Sequence, residues 1–143
     1  MIHLVIGGSG SGKSEYAENL LEKICCGLAG SAKKYYIATM QVYDAEGRKK
    51  VARHQRLRAG KGFQTIEQTR DIHKAAEIIV RDRKQTENAA LLECMSNLVA
   101  NEMFGGETED SASRMSETER EDFLVEKVTG GIRTLAEKLD KLV

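Results

Sequence analysis

Residues 7–14 read Gly-Gly-Ser-Gly-Ser-Gly-Lys-Ser, which matches the phosphate-loop pattern of nucleotide-binding proteins. The glycines let the backbone curve around a phosphate with its N–H groups pointing inward. Lys13 then places a charge near the β and γ phosphates, and the Ser14 hydroxyl suits Mg²⁺. A chance turn is disfavoured because the motif joins an apolar run to a helical pattern. We therefore predict that a nucleoside triphosphate and Mg²⁺ bind at Gly7, Gly8, Ser9, Gly10, Ser11, Gly12, Lys13 and Ser14.

A phosphate loop needs a carboxylate at the end of another buried strand to help hold the metal. Glu93 follows the apolar residues 89–92, where a solvated glutamate is unusual. The alternative is an ordinary acid at the end of a strand. We favour the metal site, with Ser14 and Glu93 as its ligands.

The segment 48–61 contains seven basic residues and no acid, although the chain has 22 Lys and Arg against 22 Asp and Glu. Such a run is often a solvated helix face. In a neutral protein, however, like charges repel unless an anion binds nearby. His54 and Arg58 are four residues apart, so both can face one ligand from a helix. An imidazole can attack phosphorus while a guanidinium stabilises the departing charge, which makes His54 a candidate nucleophile.

Hydrophobic patterns place these residues in alternating strands and helices. Short apolar runs predict strands at 2–6, 35–38, 63–67 and 89–92. Helical spacing predicts helices from 13 onward, over 44–59, 71–83 and 96–104, and after a capping box formed by Ser116 and Glu119. This order predicts one α/β domain, 1–143, with a P-loop nucleotide-binding fold: a mostly parallel sheet with helices on both faces. The polar, acidic residues 105–115 predict a mobile loop.

The composition favours a soluble globular protein, with 41% hydrophobic and 31% charged residues. The absence of net charge disfavours a globally basic nucleic-acid binder. No apolar run approaches the roughly 20 residues of a membrane-spanning helix, and the N-terminus lacks a signal-peptide pattern. Cys25, Cys26 and Cys94 form neither a disulfide framework nor a metal clip, so we expect a cytoplasmic protein.

Together, these motifs resemble the bifunctional adenosylcobinamide kinase / adenosylcobinamide-phosphate guanylyltransferase family of cobalamin biosynthesis. The resemblance is close over residues 1 to about 104 and looser over the final helix. It is carried by the phosphate loop and, in order, by Tyr-Ile-Ala-Thr at 36–39, Lys-Val-Ala-Arg-His at 50–54, Phe-Gln-Thr-Ile-Glu at 63–67 and Leu-Leu-Glu-Cys-Met-Ser-Asn at 91–97.

The resemblance implies two reactions. The first phosphorylates the aminopropanol hydroxyl of adenosylcobinamide with ATP or GTP, and the second transfers GMP from GTP to that phosphate through a guanylyl-histidine. It implies that His54 is this nucleophile, so His54 and Lys13 are the expected catalytic residues. It also implies a homotrimer with sites between subunits. Further nucleotide contacts are expected from Ala38, Thr39, Met40, Gln55, Arg56, Leu57, Arg58, Glu67 and Glu93.

The chain departs from the family pattern at several points. The family usually has Arg at the positions of Gly10 and Lys50 and Trp at the position of Phe63. One residue is inserted between Arg58 and Phe63. The resemblance therefore supports the ancestry of the chain more strongly than its activity.

The family pattern continues with another strand and further helices, whereas this sequence ends at Val143. We therefore expect a C-terminally shortened form, either a truncated chain or a naturally reduced one, in which Leu135, Leu139 and Leu142 are exposed and promote association. Two alternatives to the bifunctional enzyme stay open: a small P-loop kinase with another substrate, and a catalytically impaired nucleotide-binding protein.

Overall fold

A computed structural model describes residues 1–27, 32–42, 45–81, 88–104 and 115–140. Helices and strands alternate along most of the chain, which confirms the predicted α/β class. In chain order they are α1 (Lys13–Gly27), β1 (Lys33–Ala38), α2 (Ala45–Arg58), β2 (Phe63–Glu67), α3 (His73–Arg81), β3 (Asn88–Glu93), α4 (Met95–Phe104) and α5 (Glu117–Asp140).

The three strands form a parallel sheet in the order β2-β1-β3. The central strand, β1, pairs in register with both neighbours. Ala38 lies beside Glu67 of β2 and Glu93 of β3, and Tyr36 lies beside Thr65. Because side chains alternate between the faces of a sheet, these five residues belong to the same face.

The hydrophobic core lies on the opposite face, beneath α3, α4 and α5. It contains the buried residues Tyr35, Ile37, Ile66, Ile72, Ala75, Ala76, Ile79 and Leu98, with Ala90, Leu92 and Ile132 packed against them. On the other face, Ser14 at the start of α1 contacts Glu93, and Arg58 at the end of α2 lies over Tyr36. Helices therefore cover both faces, as the sequence predicts.

The strand predicted at 2–6 is wrong. This segment has no strand structure, and Ile2, Leu4 and Ile6 are 71%, 76% and 84% exposed. An apolar run becomes a strand only where a neighbouring strand pairs with its backbone groups. Within the described ranges, no strand pairs with this segment.

Two predictions fall wholly or mainly outside the described residues. The proposed acidic loop at 105–115 is described only at Met115, and Leu142 is not described. The side chains of Leu135 and Leu139 are also outside the description. The expected exposure of these leucines stays a prediction.

The longest helix, α5, begins at the predicted capping box. The Ser116 backbone N–H donates to Glu119 Oε2 at 2.8 Å, and the Glu119 N–H donates to Ser116 Oγ at 3.4 Å. These two bonds satisfy groups that a helix N-terminus leaves unpaired.

No helix in the described ranges is long and apolar enough to cross a membrane.

An ion-pair cluster fastens α5 to the rest of the domain. Lys127 Nζ lies 2.9 Å from Glu102 Oε2 and 3.6 Å from Asp71 Oδ1. The Asp71 N–H donates to Glu102 Oε1 at 2.7 Å. Burial favours a lower pKa for Lys127, but its hydrogen bond to Glu102 and the nearby acids outweigh burial and raise that pKa. The ammonium is therefore charged at neutral pH.

Candidate functional site

The phosphate loop, residues 7–14, runs directly into α1, which begins at Lys13. Gly10 and Gly12 have φ angles of 72° and 81°, in the left-handed region that glycine adopts without strain. Lys13 Nζ donates to the Gly8 carbonyl oxygen at 3.0 Å, which folds the ammonium back over the loop. A cation and a helix N-terminus therefore meet at one point, an arrangement that favours a phosphate.

Glu93 connects the phosphate loop to the sheet. Ser14 Oγ donates to Glu93 Oε1 at 2.6 Å, and Tyr36 Oη donates to Glu93 Oε2 at 2.6 Å. The Ser14 hydroxyl and the Glu93 carboxylate thus present adjacent oxygen atoms, which are the ligand atoms that Mg²⁺ prefers.

This pair fits Mg²⁺ better than a metal that needs an all-protein cage. Across the described residues, no group of three or more His, Cys, Asp or Glu side chains could hold a metal ion. Mg²⁺ usually keeps several waters and takes one or two carboxylates together with phosphate oxygens. Ser14 and Glu93 are therefore a suitable protein contribution to such a site.

A cavity of about 110 Å³ lies between α2 and the carboxyl ends of the strands. It brings together residues that are far apart in the sequence and that the sequence analysis selected for nucleotide binding or catalysis. Those among its lining residues are Ala38, Met40, His54, Gln55, Arg58, Glu67 and Glu93. The phosphate loop is outside this lining, but the bond from Ser14 to Glu93 joins it to the cavity wall.

Two other predicted contact residues, Thr39 and Arg56, are not among the residues that line the cavity. Thr39 is fully buried, and its hydroxyl donates to the Cys94 carbonyl and accepts from the Cys94 N–H, both at 2.8 Å. It therefore ties the ends of β1 and β3 together. Arg56 is exposed, and its Nε donates to the Ala52 carbonyl at 3.3 Å. The Leu57 side chain is outside the described part of the chain.

Arg58 is a buried cation in the cavity wall. It is 7% exposed, and its guanidinium carbon lies 3.5 Å from the centroid of the Tyr36 ring. Its Nε and Nη1 atoms have no hydrogen-bond partner in the structure. Buried N–H groups without partners cost free energy. An anion in the cavity would remove that cost through charge-assisted hydrogen bonds.

His54 lies on α2 one turn before Arg58 and also lines the cavity, as the four-residue spacing predicts. The segment after α2 is anchored to α1, because Lys61 Nζ lies 2.6 Å from Oε2 of the buried Glu18. This hydrogen bond raises the pKa of Lys61. The anchor fixes the end of α2 and thereby the place of Arg58.

Sequence reasoning selected none of the remaining lining residues: Tyr36, Val51, Thr65, Cys94 and Asn97. The signal for two of them was present in the strands. Tyr36 alternates with Ala38, and Thr65 alternates with Glu67, so each shares a face with a predicted site residue. Val51 precedes His54 by three residues, which places both on one side of α2.

The fold and the loop define the class of this protein: an α/β protein with a parallel sheet between helices and a phosphate-loop motif at the start of its first helix. The family described as cobinamide kinase / cobinamide phosphate guanyltransferase matches residues 3–139. The chain belongs to this family, which confirms the resemblance found in the sequence.

Two curated relatives are similar to the chain, and both are named bifunctional adenosylcobalamin biosynthesis protein CobU. The protein from Escherichia coli (strain K12) is 34% identical over 104 residues, which cover 73% of this chain and 51% of the relative. The protein from Salmonella typhimurium (strain LT2) is 30% identical over 111 residues, which cover 76% and 55%. The chain thus spans about half the length of the curated relatives it matches.

Proposed function

We propose that this chain acts in cobalamin biosynthesis, phosphorylating adenosylcobinamide with ATP or GTP and then transferring GMP from GTP to the adenosylcobinamide phosphate. Family membership supports the reaction type. The observation that carries the proposal is one cavity in which His54 and the buried Arg58 lie with Glu93, itself bonded to Ser14 of the phosphate loop.

In the kinase step, the phosphate loop holds the β and γ phosphates with its backbone N–H groups. Lys13 leaves its bond to the Gly8 carbonyl and donates to phosphate oxygens instead. Ser14 and Glu93 hold Mg²⁺, which neutralises charge that develops on the phosphates. The substrate hydroxyl oxygen then bonds to the γ-phosphorus, and the bond from that phosphorus to the β-phosphate oxygen breaks. The nucleoside diphosphate leaves, and the hydroxyl proton is released to water.

In the guanylyl step, a neutral imidazole nitrogen of His54 attacks the α-phosphorus of GTP. A nitrogen–phosphorus bond forms, the bond to the β-phosphate oxygen breaks, and pyrophosphate carries away the negative charge. Arg58 donates to phosphate oxygens during this step, so its buried N–H groups gain partners. A phosphate oxygen of adenosylcobinamide phosphate then displaces His54 and takes the GMP group.

Labelling with α-³²P GTP and Mg²⁺ tests the histidine step. The wild-type chain should acquire label that is lost in acid and retained in alkali, as a phosphoramidate behaves. His54→Ala should abolish labelling and guanylyl transfer but leave phosphorylation of adenosylcobinamide largely intact. His3→Ala is the matched control, because His3 is exposed and outside the cavity lining, and it should label normally.

The same assay separates the alternatives. Label on His54→Ala, or none on a wild-type chain that demonstrably binds GTP, would exclude the guanylyl-histidine. A chain that transfers the γ-phosphate but never becomes labelled would be a kinase alone. A chain that binds GTP without turnover would be a nucleotide-binding protein without catalysis. Mg²⁺ dependence, cytoplasmic location and the homotrimer stay predictions.

A further inference from the structure

We propose that Tyr36 is a positioning residue that aligns the two halves of the candidate site: its hydroxyl holds Glu93 beside the phosphate loop, and its ring holds Arg58 in the cavity wall. The inference rests on the proposed nucleotide function. It concerns a residue that lies in a motif of the family resemblance but had no role at the site, and it assigns separate tasks to the two ends of one side chain.

The hydroxyl end sets the direction of the Glu93 carboxylate. Tyr36 Oη donates to Glu93 Oε2 at 2.6 Å, while the other oxygen, Oε1, accepts from Ser14. The phenolic O–H is the donor in this bond, because an ionised carboxylate can only accept.

The ring end supports Arg58. The guanidinium carbon lies 3.5 Å from the ring centroid, within the range of a cation–π interaction. The ring itself is braced by Phe63, whose centroid lies 6.4 Å away at an interplanar angle of 83°. Tyr36 is 4% exposed, so its packing leaves little freedom to shift.

Tyr36 also lies between two opposite charges, which could otherwise form a direct ion pair. Arg58 and Glu93 both line the cavity and both contact Tyr36, yet they form no ion pair with each other in the structure. A direct ion pair would occupy the Arg58 N–H groups that we propose bind phosphate. It would also occupy the Glu93 carboxylate that we propose binds the metal. With Tyr36 between them, Nε and Nη1 of Arg58 are left without a hydrogen-bond partner in the structure.

Two variants separate the two tasks. Tyr36→Phe keeps the ring and loses the hydroxyl. It should raise the Mg²⁺ concentration for half-maximal GTP binding by about 10-fold or more, the usual result of losing a partner of a metal-ligating group. Its affinity for GTP in EDTA should match that of the wild type. Tyr36→Leu loses both ends and should also weaken GTP binding in EDTA by about 3- to 30-fold, the range of cation–π contacts from exposed to desolvated sites.

Tyr35→Phe is the control for the loss of a tyrosine hydroxyl from the same strand. Tyr35 is buried in the core on the opposite face, so this variant should leave the GTP and Mg²⁺ constants unchanged. Calorimetric GTP titrations with and without Mg²⁺ measure all the constants. Tyr36→Phe conserves the ring, so it decides the role of the hydroxyl even if Tyr36→Leu fails to fold.

The outcomes distinguish this inference from the function on which it rests. A wild-type chain that does not bind GTP overturns the proposed function, and the role of Tyr36 with it. If the wild type binds GTP while Tyr36→Phe shows a normal Mg²⁺ dependence, the proposed function stands and the positioning role is wrong. The inference would also be overturned if Tyr36→Phe and Tyr35→Phe raised the Mg²⁺ concentration for half-maximal GTP binding equally. The increase would then reflect a general loss of packing.

Discussion

Replacing Lys127 with Met should destabilise the protein by uncoupling α5 from the other helices. The Lys127 ammonium lies 2.9 Å from Glu102 and 3.6 Å from Asp71, and the Glu102 side chain is 3% exposed. Met keeps most of the aliphatic stem of lysine but removes the charge and the donors. The substitution therefore removes the Lys127 cation from a buried carboxylate.

The structure sets the size of this effect. A hydrogen bond to a charged group typically contributes about 1.5–3 kcal/mol. The Lys127 side chain is 32% exposed, so solvent screens part of the attraction. We therefore expect the free energy of unfolding to fall by about 2 kcal/mol. For a chain of this length, that corresponds to a Tm lower by roughly 6 °C.

Urea unfolding followed by circular dichroism measures the loss. Arg133→Met is the matched control, because Arg133 is an exposed cation on the same helix, and it should change stability by less than about 0.5 kcal/mol. Adding Glu102→Gln to Lys127→Met should cost less than adding it to the wild type, because the pair between Lys127 and Glu102 is then already absent. Equal midpoints and slopes for Lys127→Met and Arg133→Met would refute the reasoning.

The pH dependence of the stability difference between wild type and Lys127→Met provides a second check. The folded pKa of Lys127 is raised above its ordinary value of 10.5. Its contribution to stability is therefore fully present below 10.5 and is lost as the pH rises through the higher folded pKa. The gap between wild type and Lys127→Met should be constant from pH 7 to about pH 9 and shrink only in strongly alkaline solution.

Two further predictions concern the phosphate loop and its partner acid. Lys13→Ala removes a charge-assisted phosphate contact and should weaken GTP binding by about 1.5–3 kcal/mol in a calorimetric titration; unchanged affinity and turnover would exclude Lys13 from the site. Glu93→Gln can still bond to the hydroxyls of Ser14 and Tyr36 but lacks the charge that attracts Mg²⁺. It should therefore fold normally and need more Mg²⁺ for GTP binding, whereas a normal Mg²⁺ titration would remove Glu93 from the metal site.

The parts of the site that could be predicted from sequence depend on local patterns. The loop at 7–14 is a contiguous motif, and the spacing of His54 and Arg58 on one helix fixes their common direction. Glu93 could be placed because it ends an apolar run that forms a strand. Each of these features could be predicted because it depends only on residues that are close together in the sequence.

The remaining features depend on contacts between distant segments. The segment 2–6 has the composition of a strand, but pairing with another strand decides whether a strand forms, and the sequence does not state the partner. Tyr36 has a role only because Glu93 and Arg58 meet it from two other elements. Thr39 follows the strand that the resemblance assigns to nucleotide contact, yet its hydroxyl is used to join strand ends.

The central strand β1 divides its residues between two environments. Tyr35 and Ile37 lie in the core, whereas Tyr36 and Ala38 line the cavity. Deleting one residue within this strand would exchange the two sets: the cavity would receive core side chains, and the core would receive the hydroxyl of Tyr36. The packing of the core and the lining of the cavity would then be lost together, so β1 cannot change its length by one residue.

An inserted or deleted residue is tolerated only in a segment whose side chains do not have to alternate between two faces. The one-residue insertion that the family resemblance implies falls between Arg58 and Phe63, in the turn that joins α2 to β2. Gly60 and Gly62 there have φ angles of 88° and 72°, so this turn reverses direction with backbone conformations that other residues rarely adopt. An insertion at this place changes the path of the connection but not the phase of either element that it joins. A change of length at such a turn therefore leaves intact the alternation that builds the cavity.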